Sequence, residues 1–191
     1  MRVHQYPLKI GIGRTPEFEK KGLATHAVNV GTKCGHGCLY CSTGAVLRMH
    51  PSFRHCGEGP FAFGYAIVDP STPARVAKDA KRIQERGLAQ LCTLTDAWAP
   101  EAQEHQLGRR CLEAILCQPG WTVRILTKNA AVATDFDLIE RYRDRVSVGL
   151  SITGTADQEE ALKVIEPHTS PIRERMAALR EANARGLRTY G

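Results

Sequence analysis

Residues 26–41 have the sequence HAVNVGTKCGHGCLYC, in which a short apolar stretch leads directly into three cysteines. The stretch from His26 to Val30 is short and partly β-branched, which is typical of a β-strand. The loop that follows contains Cys34, Cys38 and Cys41, separated by three and then by two residues. Three cysteines crowded into one short loop predict a metal centre immediately after this strand.

The cysteine loop, residues 34–41, offers three soft ligands of the kind that bind iron–sulfur clusters or zinc. Gly35 and Gly37 permit the backbone angles that a tight loop needs to fold three sulfurs around one centre. A structural zinc site usually has four protein ligands, whereas a cubane held by three cysteines leaves one iron open to a small molecule. Three cysteines therefore favour a [4Fe-4S] cluster. The alternative is a zinc site whose fourth ligand is Cys56, His36 or His55.

The composition indicates a globular protein without a membrane span. The chain has 191 residues, of which 42% are hydrophobic and 24% are charged, and this length suffices for one domain with a core. No apolar stretch approaches the ~18 residues that cross a bilayer. Charges and a proline interrupt residues 1–14, so no signal peptide is predicted. We therefore expect a cytoplasmic protein that has no membrane partner.

The cysteine count argues against a disulfide framework. There are seven cysteines, an odd number, in a chain that we expect to be cytoplasmic. Outside the cysteine loop, Cys92, Cys111 and Cys117 fall on apolar faces of predicted elements and are predicted to lie in the core.

The net charge of +6 is concentrated near the N-terminus. Residues 1–60 contain eight Lys or Arg and three acidic residues, which accounts for +5 of the total. A basic first third is compatible with an anionic partner such as DNA. A solvated basic surface without a partner explains the same distribution equally well.

From residue 70 onward, helices and strands alternate. The predicted helices cover residues 72–87, 101–118, 136–143 and 171–185. The predicted strands cover residues 88–94 and 122–126, then 146–150 and 187–190. This alternation indicates βαβ units and a parallel sheet, which is either doubly wound or curved into a barrel. Residues 1–25 are expected to form loop or short strand, and residues 50–70 an ordered irregular segment.

Polar residues follow the predicted strands at the place where α/β proteins bind their ligands. The residues concerned are Thr95 and Asp96, Thr127 and Lys128, and Ser151. Because parallel strands present their carboxyl ends at one edge of a sheet, we expect these side chains to meet the cysteine loop at a single site. The general polarity of loops is the simpler explanation of the same pattern.

The cysteine spacing, with an aromatic residue before the third cysteine, resembles the signature of the radical S-adenosylmethionine (SAM) enzymes. The wider segment NVGTKCGHGCLYC is similar to the spore photoproduct lyase-like branch, whose members are often labelled DNA repair photolyases. Later blocks resemble that branch in the same order: CTLTDAWAPEAQ (92–103), ILTKNA (125–130), VSVGLSIT (146–153), Glu166-Pro167 and RERMAALREANARGL (173–187). The resemblance covers about residues 26–191.

This resemblance implies an α/β fold, a partial (β/α) barrel of the radical SAM type. Residues 1–25 would be an N-terminal extension and residues 26–191 the radical SAM core. Because the chain stops at Gly191, inside the fifth predicted strand, we expect a barrel that is truncated at its C-terminus. No residue can be assigned as a hydrogen donor.

The resemblance also implies roles for individual residues. Cys34, Cys38 and Cys41 would bind three irons of a [4Fe-4S] cluster, and the open iron would chelate SAM. Four further contacts with SAM are implied: Tyr40 to the adenine, Lys128 to the methionyl carboxylate, Ser151 near the ribose, and Thr95 with Asp96 at the position that meets the amino group.

The implied chemistry is the reductive cleavage of SAM to methionine and a 5′-deoxyadenosyl radical, which then removes a hydrogen from the substrate. The resemblance implies a lyase that repairs DNA photoproducts and receives electrons from a donor such as flavodoxin or ferredoxin. A different radical reaction on a protein or small molecule is one alternative. A zinc-bound nucleic-acid-binding module without catalysis is another.

Overall fold

Two β-sheets organise the chain in a computed structural model that describes residues 1–190. The larger sheet has the strand order β2-β3-β6-β7-β8-β9, and the smaller has the order β1-β5-β4. The strands are β1 (Arg2–Gln5), β2 (Gly13–Arg14), β3 (His26–Val28), β4 (Gly31–Lys33), β5 (Tyr65–Val68), β6 (Leu88–Leu91), β7 (Thr122–Thr127), β8 (Val146–Leu150) and β9 (Arg188–Tyr190).

Nine α-helices lie between the strands in residues 1–190. They are α1 (Pro16–Lys20), α2 (Thr43–Val46), α3 (Pro51–Cys56), α4 (Thr72–Arg82), α5 (Pro100–Gln103), α6 (Leu107–Leu116), α7 (Phe136–Arg141), α8 (Glu159–Ile165) and α9 (Ile172–Ala184). Two short 3-10 helices cover Ala130–Asp135 and Ala156–Gln158. None of the helices in residues 1–190 combines the length and the apolar character needed to cross a bilayer.

The larger sheet is parallel from β3 to β9, and only β2 runs antiparallel, against β3. Helices pack against one face of this sheet. Alternate strand residues such as Val123 and Ile125 are therefore buried in the same hydrophobic cluster as residues of α6. This period of two is what a pleated strand imposes. The parallel α/β arrangement predicted from the sequence is confirmed. Its consequence for function is that the strands β3, β6, β7 and β8 end at one edge.

The predicted helix over residues 101–118 is wrong in one respect, since it consists of two helices, α5 and α6. Gln106 has a φ of +52°, a left-handed conformation that no regular helix tolerates. Cys111 and Cys92 are buried as predicted, whereas Cys117 is exposed just beyond the end of α6.

Residues 50–70 are more regular than the sequence indicated. His50 caps α3 by accepting a hydrogen bond from the Ser52 backbone, and all four residues of β5 are buried. This strand is difficult to predict from the sequence, because it has only four residues and glycine and proline in the turns on both sides indicate irregular structure. Helix α8 was not predicted at all.

Two carboxylates, those of the buried Asp69 and the partly buried Asp79, attach the N-terminal segment to the rest of the molecule. Asp69 accepts a hydrogen bond from the Leu8 backbone (2.7 Å), and Asp79 accepts from the backbones of Gly11 (2.9 Å) and Ile12 (3.1 Å). Strand β1 also pairs with β5 along its whole length. The first fourteen residues therefore form part of the same packed body as β5 and α4.

Candidate active site

A pocket of about 250 Å³, here called the site pocket, lies where the cysteine loop meets the ends of β6, β7 and β8. Every residue for which the sequence implied a role at the site lines it: Cys34, Cys38, Tyr40, Cys41, Thr95, Asp96, Lys128 and Ser151. These residues come from four separate parts of the chain, and the parallel sheet brings them together at one edge. Cys92, at the end of β6, lines the same pocket.

The three loop cysteines also line a second cavity of about 250 Å³. Its other lining residues include Lys33, Phe61 and Phe63. Lys33 orders this aromatic wall, because its ammonium group donates to the carbonyl oxygens of Pro60 (3.0 Å) and Ala62 (2.7 Å). The thiols thus form a boundary shared by two cavities.

Two thiols of the cysteine loop, those of Cys34 and Cys38, lie in a desolvated environment. Burial, followed by the nearby charges of Asp96 and Glu101, raises the pKa of Cys34 well above its ordinary value. Burial also raises the pKa of Cys38 to about 11. Without a cation these thiols are protonated at neutral pH, so a bound metal would have to displace their protons.

The donor set fits a cluster better than a single ion. Within residues 1–190, no three His, Cys, Asp or Glu side chains are grouped closely enough to hold one metal ion. A cubane presents a separate iron to each thiolate, so its ligands stand farther apart than those of a mononuclear site. The thiols of Cys34, Cys38 and Cys41 border two adjoining cavities, and three thiolates are a ligand set that an iron–sulfur cluster uses.

Asp96 lines the site pocket, but both oxygens of its carboxylate already accept hydrogen bonds from other residues of the chain. It accepts hydrogen bonds from the Trp98 backbone (2.9 Å), the Lys128 backbone (2.9 Å) and the Thr127 hydroxyl (2.8 Å). Asp96 therefore joins the end of β6 to the end of β7 and fixes the backbone from which the Lys128 side chain extends.

His36 is buried inside the cysteine loop, with its side chain only 3% exposed. Its Nδ1 atom lies 3.6 Å from an Asp96 carboxylate oxygen, and its Nε2 atom has no hydrogen-bond partner among the described residues. Burial lowers the pKa of His36, against the opposing effect of the Asp96 carboxylate. The Thr95 hydroxyl, also at the site pocket, lies close enough to the Cys92 thiol to lower the pKa of that thiol, against the larger effect of burial.

Glu166 and Arg175 are two residues at the site for which the sequence suggested no role. Glu166 accepts hydrogen bonds from the Tyr40 hydroxyl and from Arg175 (2.7 Å), and its carboxylate lies 4.0 Å from the Lys128 ammonium group. Burial raises the pKa of Glu166, but the hydrogen bonds from Tyr40 and Arg175 outweigh that effect and lower it. A signal was present, because Arg175 falls on the apolar face of α9 next to Ile172 and Ala178, where a lone charge requires a buried partner.

The strap, defined as residues 165–170, closes over the cysteine loop through backbone hydrogen bonds. Leu39 donates to the Ile165 carbonyl (2.9 Å), and His168 donates to the His36 carbonyl (3.2 Å). Ser170 donates to the Lys128 carbonyl (3.1 Å). The strap therefore couples the cysteine loop to the end of β7.

No protein-family model matches this sequence. An uncharacterized protein, ORF301, of Acidianus two-tailed virus is 27% identical over 166 residues, which is 85% of this chain and 52% of that protein. This chain therefore spans about half the length of the curated relative that it matches.

Solved structures of spore photoproduct lyase are similar to nearly the whole chain. One, complexed with dinucleoside spore photoproduct, has a TM-score of 0.62 at 17% identity, over 98% of this chain and 49% of that one. A variant with bound AdoMet and dinucleoside spore photoproduct has a TM-score of 0.63 at 20% identity, over 98% and 48% respectively. The expected fold class is thereby confirmed: the chain has the radical SAM partial-barrel fold found in the spore photoproduct lyases.

Proposed function

We propose that this chain is a radical SAM enzyme, which binds a [4Fe-4S] cluster through Cys34, Cys38 and Cys41 and binds SAM beside it. One observation carries the proposal: three unpaired thiols and the polar residues that end three parallel strands line a single pocket. The likeness in fold to a spore photoproduct lyase that holds AdoMet supports it. When bound and reduced, the cluster supplies the electron that cleaves SAM to methionine and a 5′-deoxyadenosyl radical.

The residues around the pocket have chemistry suited to the parts of SAM. Lys128 provides a cation for the methionyl carboxylate; its side chain is 20% exposed, and its ammonium group lies 4.0 Å from the Glu166 carboxylate. Ser151 provides a hydroxyl near the ribose, and Thr95 provides a second hydroxyl at the same pocket. The exposed ring of Tyr40 lies 5.7 Å from the Lys128 ammonium group, so both can border the same bound molecule.

The substrate and the partners form the narrower part of the proposal. A cavity of about 540 Å³ adjoins the site pocket at Thr93 and Leu94, and its lining includes Lys9 and Arg14. Space next to the pocket and two cations suit an anionic substrate. Together with the likeness to a lyase complexed with dinucleoside spore photoproduct, they support repair of a DNA photoproduct by a lyase reaction. The electron donor would be a protein such as flavodoxin or ferredoxin. The cytoplasmic location of the protein stays a prediction.

The test is the metal content of protein that is purified and reconstituted without oxygen. We expect about four irons and four sulfides per chain and an iron–sulfur visible spectrum. Both should be lost in Cys34→Ala, Cys38→Ala and Cys41→Ala. Cys117→Ala is the matched control, because this cysteine is exposed and lies outside the site pocket. One zinc per chain and no iron after reconstitution would refute the radical mechanism and favour a zinc-bound nucleic-acid-binding module.

Activity is then measured as 5′-deoxyadenosine formed from SAM with a chemical reductant. Formation of 5′-deoxyadenosine without conversion of a dinucleoside photoproduct would point to a radical reaction on a protein or small molecule. Binding to DNA that weakens as salt rises would support the nucleic-acid substrate, since phosphate contacts release counterions. A lack of DNA binding at low salt would contradict it.

A further inference from the structure

The second cavity gives the thiols of the cysteine loop an approach that does not pass through the site pocket. Its lining includes the three loop cysteines together with Leu39, Phe61 and Phe63. Lys128 and Ser151, which are proposed to contact SAM, line the site pocket and not this cavity. A second molecule that needs access to the thiols is therefore expected on the side of the second cavity.

The docking rim, defined as Leu39, Phe61 and Phe63, is an exposed apolar surface at this cavity. The three residues are 52%, 63% and 52% exposed. A single exposed apolar residue is ordinary, but several that border one cavity form a patch of the kind that marks an interaction site. Large apolar and aromatic side chains are also typical of the core of a protein–protein interface.

The chain itself holds the docking rim in place. Lys33 donates to the carbonyl oxygens on both sides of Phe61, at 3.0 and 2.7 Å, and its ammonium group lies 5.5 Å from the centre of the Phe63 ring. Phe61 also packs closely on α2, because a Cβ atom at Gly44 would lie 3.1 Å from its ring. A partner therefore meets a preformed surface and loses little free energy in ordering it.

The charges along this part of the chain have one sign. No Asp or Glu occurs in residues 20–57, and the acid that follows, Glu58, is already paired with Arg2 (2.9 Å). Arg48 is exposed just beyond α2, the helix that lines the cavity. A surface with cations and without free acids attracts an acidic partner and repels a basic one.

We propose that the docking rim binds a small acidic protein that carries one electron. This inference rests on the proposed function, which needs one electron for each SAM that is cleaved. In the complex the carrier is oxidised by that electron, while no bond is formed or broken and no atom is transferred. Because electron transfer slows steeply with distance, the carrier has to dock where the path to the thiols is short, and the second cavity leads to them.

The lining of the second cavity favours a protein over a nucleic acid. A nucleic-acid strand needs cations along its phosphates. Lys33 is the one basic residue of the lining, and its ammonium group already donates to two carbonyl oxygens. Arg48 lies outside the lining, in keeping with the polar periphery that surrounds the apolar core of a protein interface.

The experiment uses a flavodoxin, an acidic one-electron carrier, as the probe. Titration calorimetry measures its affinity for anaerobically reconstituted, cluster-loaded protein. We expect Phe61→Ser to bind it about tenfold more weakly, the effect of one central apolar contact. Arg48→Glu should bind it about fivefold more weakly and show a smaller dependence on salt. Lys81→Glu, the same change of charge on α4 and outside both cavities, is the matched control and should bind within about twofold of the unaltered chain.

A second readout separates docking from the chemistry of the site. Arg48→Glu should form 5′-deoxyadenosine at the unaltered rate with a chemical reductant, but more slowly with reduced flavodoxin. Iron content, measured on the same samples, shows whether the cluster is intact in each variant. If Phe61→Ser does not retain iron, Phe63→Ser replaces it. Cytochrome c, a one-electron carrier with a basic surface, should not bind the unaltered chain.

Equal affinity for flavodoxin in Phe61→Ser, Arg48→Glu and the unaltered chain would overturn the inference and leave the proposed function standing. So would an unaltered chain that cleaves SAM with a chemical reductant but does not bind flavodoxin. Equally strong binding of cytochrome c would overturn it as well, because the charge of the partner would then not matter.

Two further outcomes would assign the docking rim to a different occupant and overturn the inference. One is an oligonucleotide whose binding weakens in Phe61→Ser while the binding of flavodoxin does not. The other is self-association of the unaltered chain in gel filtration that Phe61→Ser abolishes without an effect on flavodoxin. Failure of the unaltered chain to hold iron would refute the proposed function itself, and the inference with it.

Discussion

The carboxylate of Glu166 and the guanidinium of Arg175 lie 2.7 Å apart, and neither side chain is more than 2% exposed. Arg175 also donates to the carbonyl oxygens of Ser151 (3.0 Å) and Ser170 (2.6 Å), while Glu166 accepts from the Tyr40 hydroxyl. The pair therefore joins the end of β8, the strap and the cysteine loop. Since buried charges are tolerated only when they are paired, the ion pair fixes how these three parts meet.

Removing one member of this pair is expected to be strongly destabilising. Arg175→Ala leaves the Glu166 carboxylate buried without its cation, and we predict a loss of about 3–5 kcal/mol in the free energy of unfolding. Urea denaturation measures the change. The matched control is Lys163→Ala, which breaks the exposed pair between Lys163 and Glu160 (2.8 Å) and should change the free energy of unfolding little, because solvent screens an exposed ion pair. If both substitutions changed the free energy of unfolding equally, the buried pair would not be what stabilises the contact between these parts of the chain.

Asp96→Asn is expected to affect both stability and the binding of SAM. In asparagine an NH2 group, which is a donor, replaces one of the two acceptor oxygens of Asp96. One of the hydrogen bonds from Trp98, Thr127 and Lys128 is then lost, because the NH2 group faces another N–H or O–H donor. We predict a loss of about 1–3 kcal/mol in the free energy of unfolding. Because the Lys128 backbone is then held less firmly, SAM should also bind more weakly. Calorimetric titration of cluster-loaded protein measures the affinity for SAM. An unchanged free energy of unfolding would contradict the role of Asp96 in joining the ends of β6 and β7.

Lys128→Met is expected to weaken the binding of SAM without changing the iron content. A charge-assisted hydrogen bond to a carboxylate contributes about 1.5–3 kcal/mol, which corresponds to a roughly 10- to 100-fold loss of affinity. Lys81, which lies near the C-terminal end of α4 and outside the site pocket, provides the control Lys81→Met. An unaltered affinity in Lys128→Met would refute the assignment of this lysine to the methionyl carboxylate.

Stability is expected to fall in acid through Asp69. Burial raises the pKa of this carboxyl group, but hydrogen bonds from Ser71, Leu8 and Arg75 outweigh burial and lower it below the ordinary 3.8. A pKa that is lower in the folded state stabilises the fold above the ordinary value, and this contribution is lost as the pH falls through the folded value.

Unfolding by urea between pH 3 and pH 7 measures this contribution. The unaltered chain should lose stability as the pH drops below about 4. Asp69→Asn should be less stable at pH 7 and should show a shallower decline in acid. Parallel profiles for the two proteins would show that Asp69 does not contribute to the acid sensitivity.

Part of the site could be predicted because its signals are local. The spacing of Cys34, Cys38 and Cys41 is a property of eight consecutive residues, and the polar residues at Thr95, Lys128 and Ser151 directly follow apolar strands. Parallel strands end at the same edge, so local patterns sufficed to predict that these residues meet. Their assigned roles toward the cluster and SAM stay predictions.

Other features could not be predicted because they depend on contacts between distant residues. Strand β5 is flanked by glycine and proline and is stabilised by pairing with β1 and β4, over sixty residues and over thirty residues away in sequence. The break at Gln106 depends on a single backbone conformation inside an otherwise helical pattern. Two of the strap's backbone hydrogen bonds, with Leu39 and His36, join residues more than a hundred positions apart, and the third reaches Lys128 at the end of β7.

The sequence by itself determined the cysteine loop, the alternation of strands and helices, and the edge at which the polar residues gather. Each of these follows from spacing and periodicity along a short piece of chain. Only the tertiary structure decided that Asp96 is occupied by backbone donors, that Glu166 and Arg175 form a buried pair, and that Nε2 of His36 is left without a partner. The reason is physical: whether a polar atom is satisfied depends on which distant atoms share its desolvated surroundings, and spacing along the chain carries no record of them.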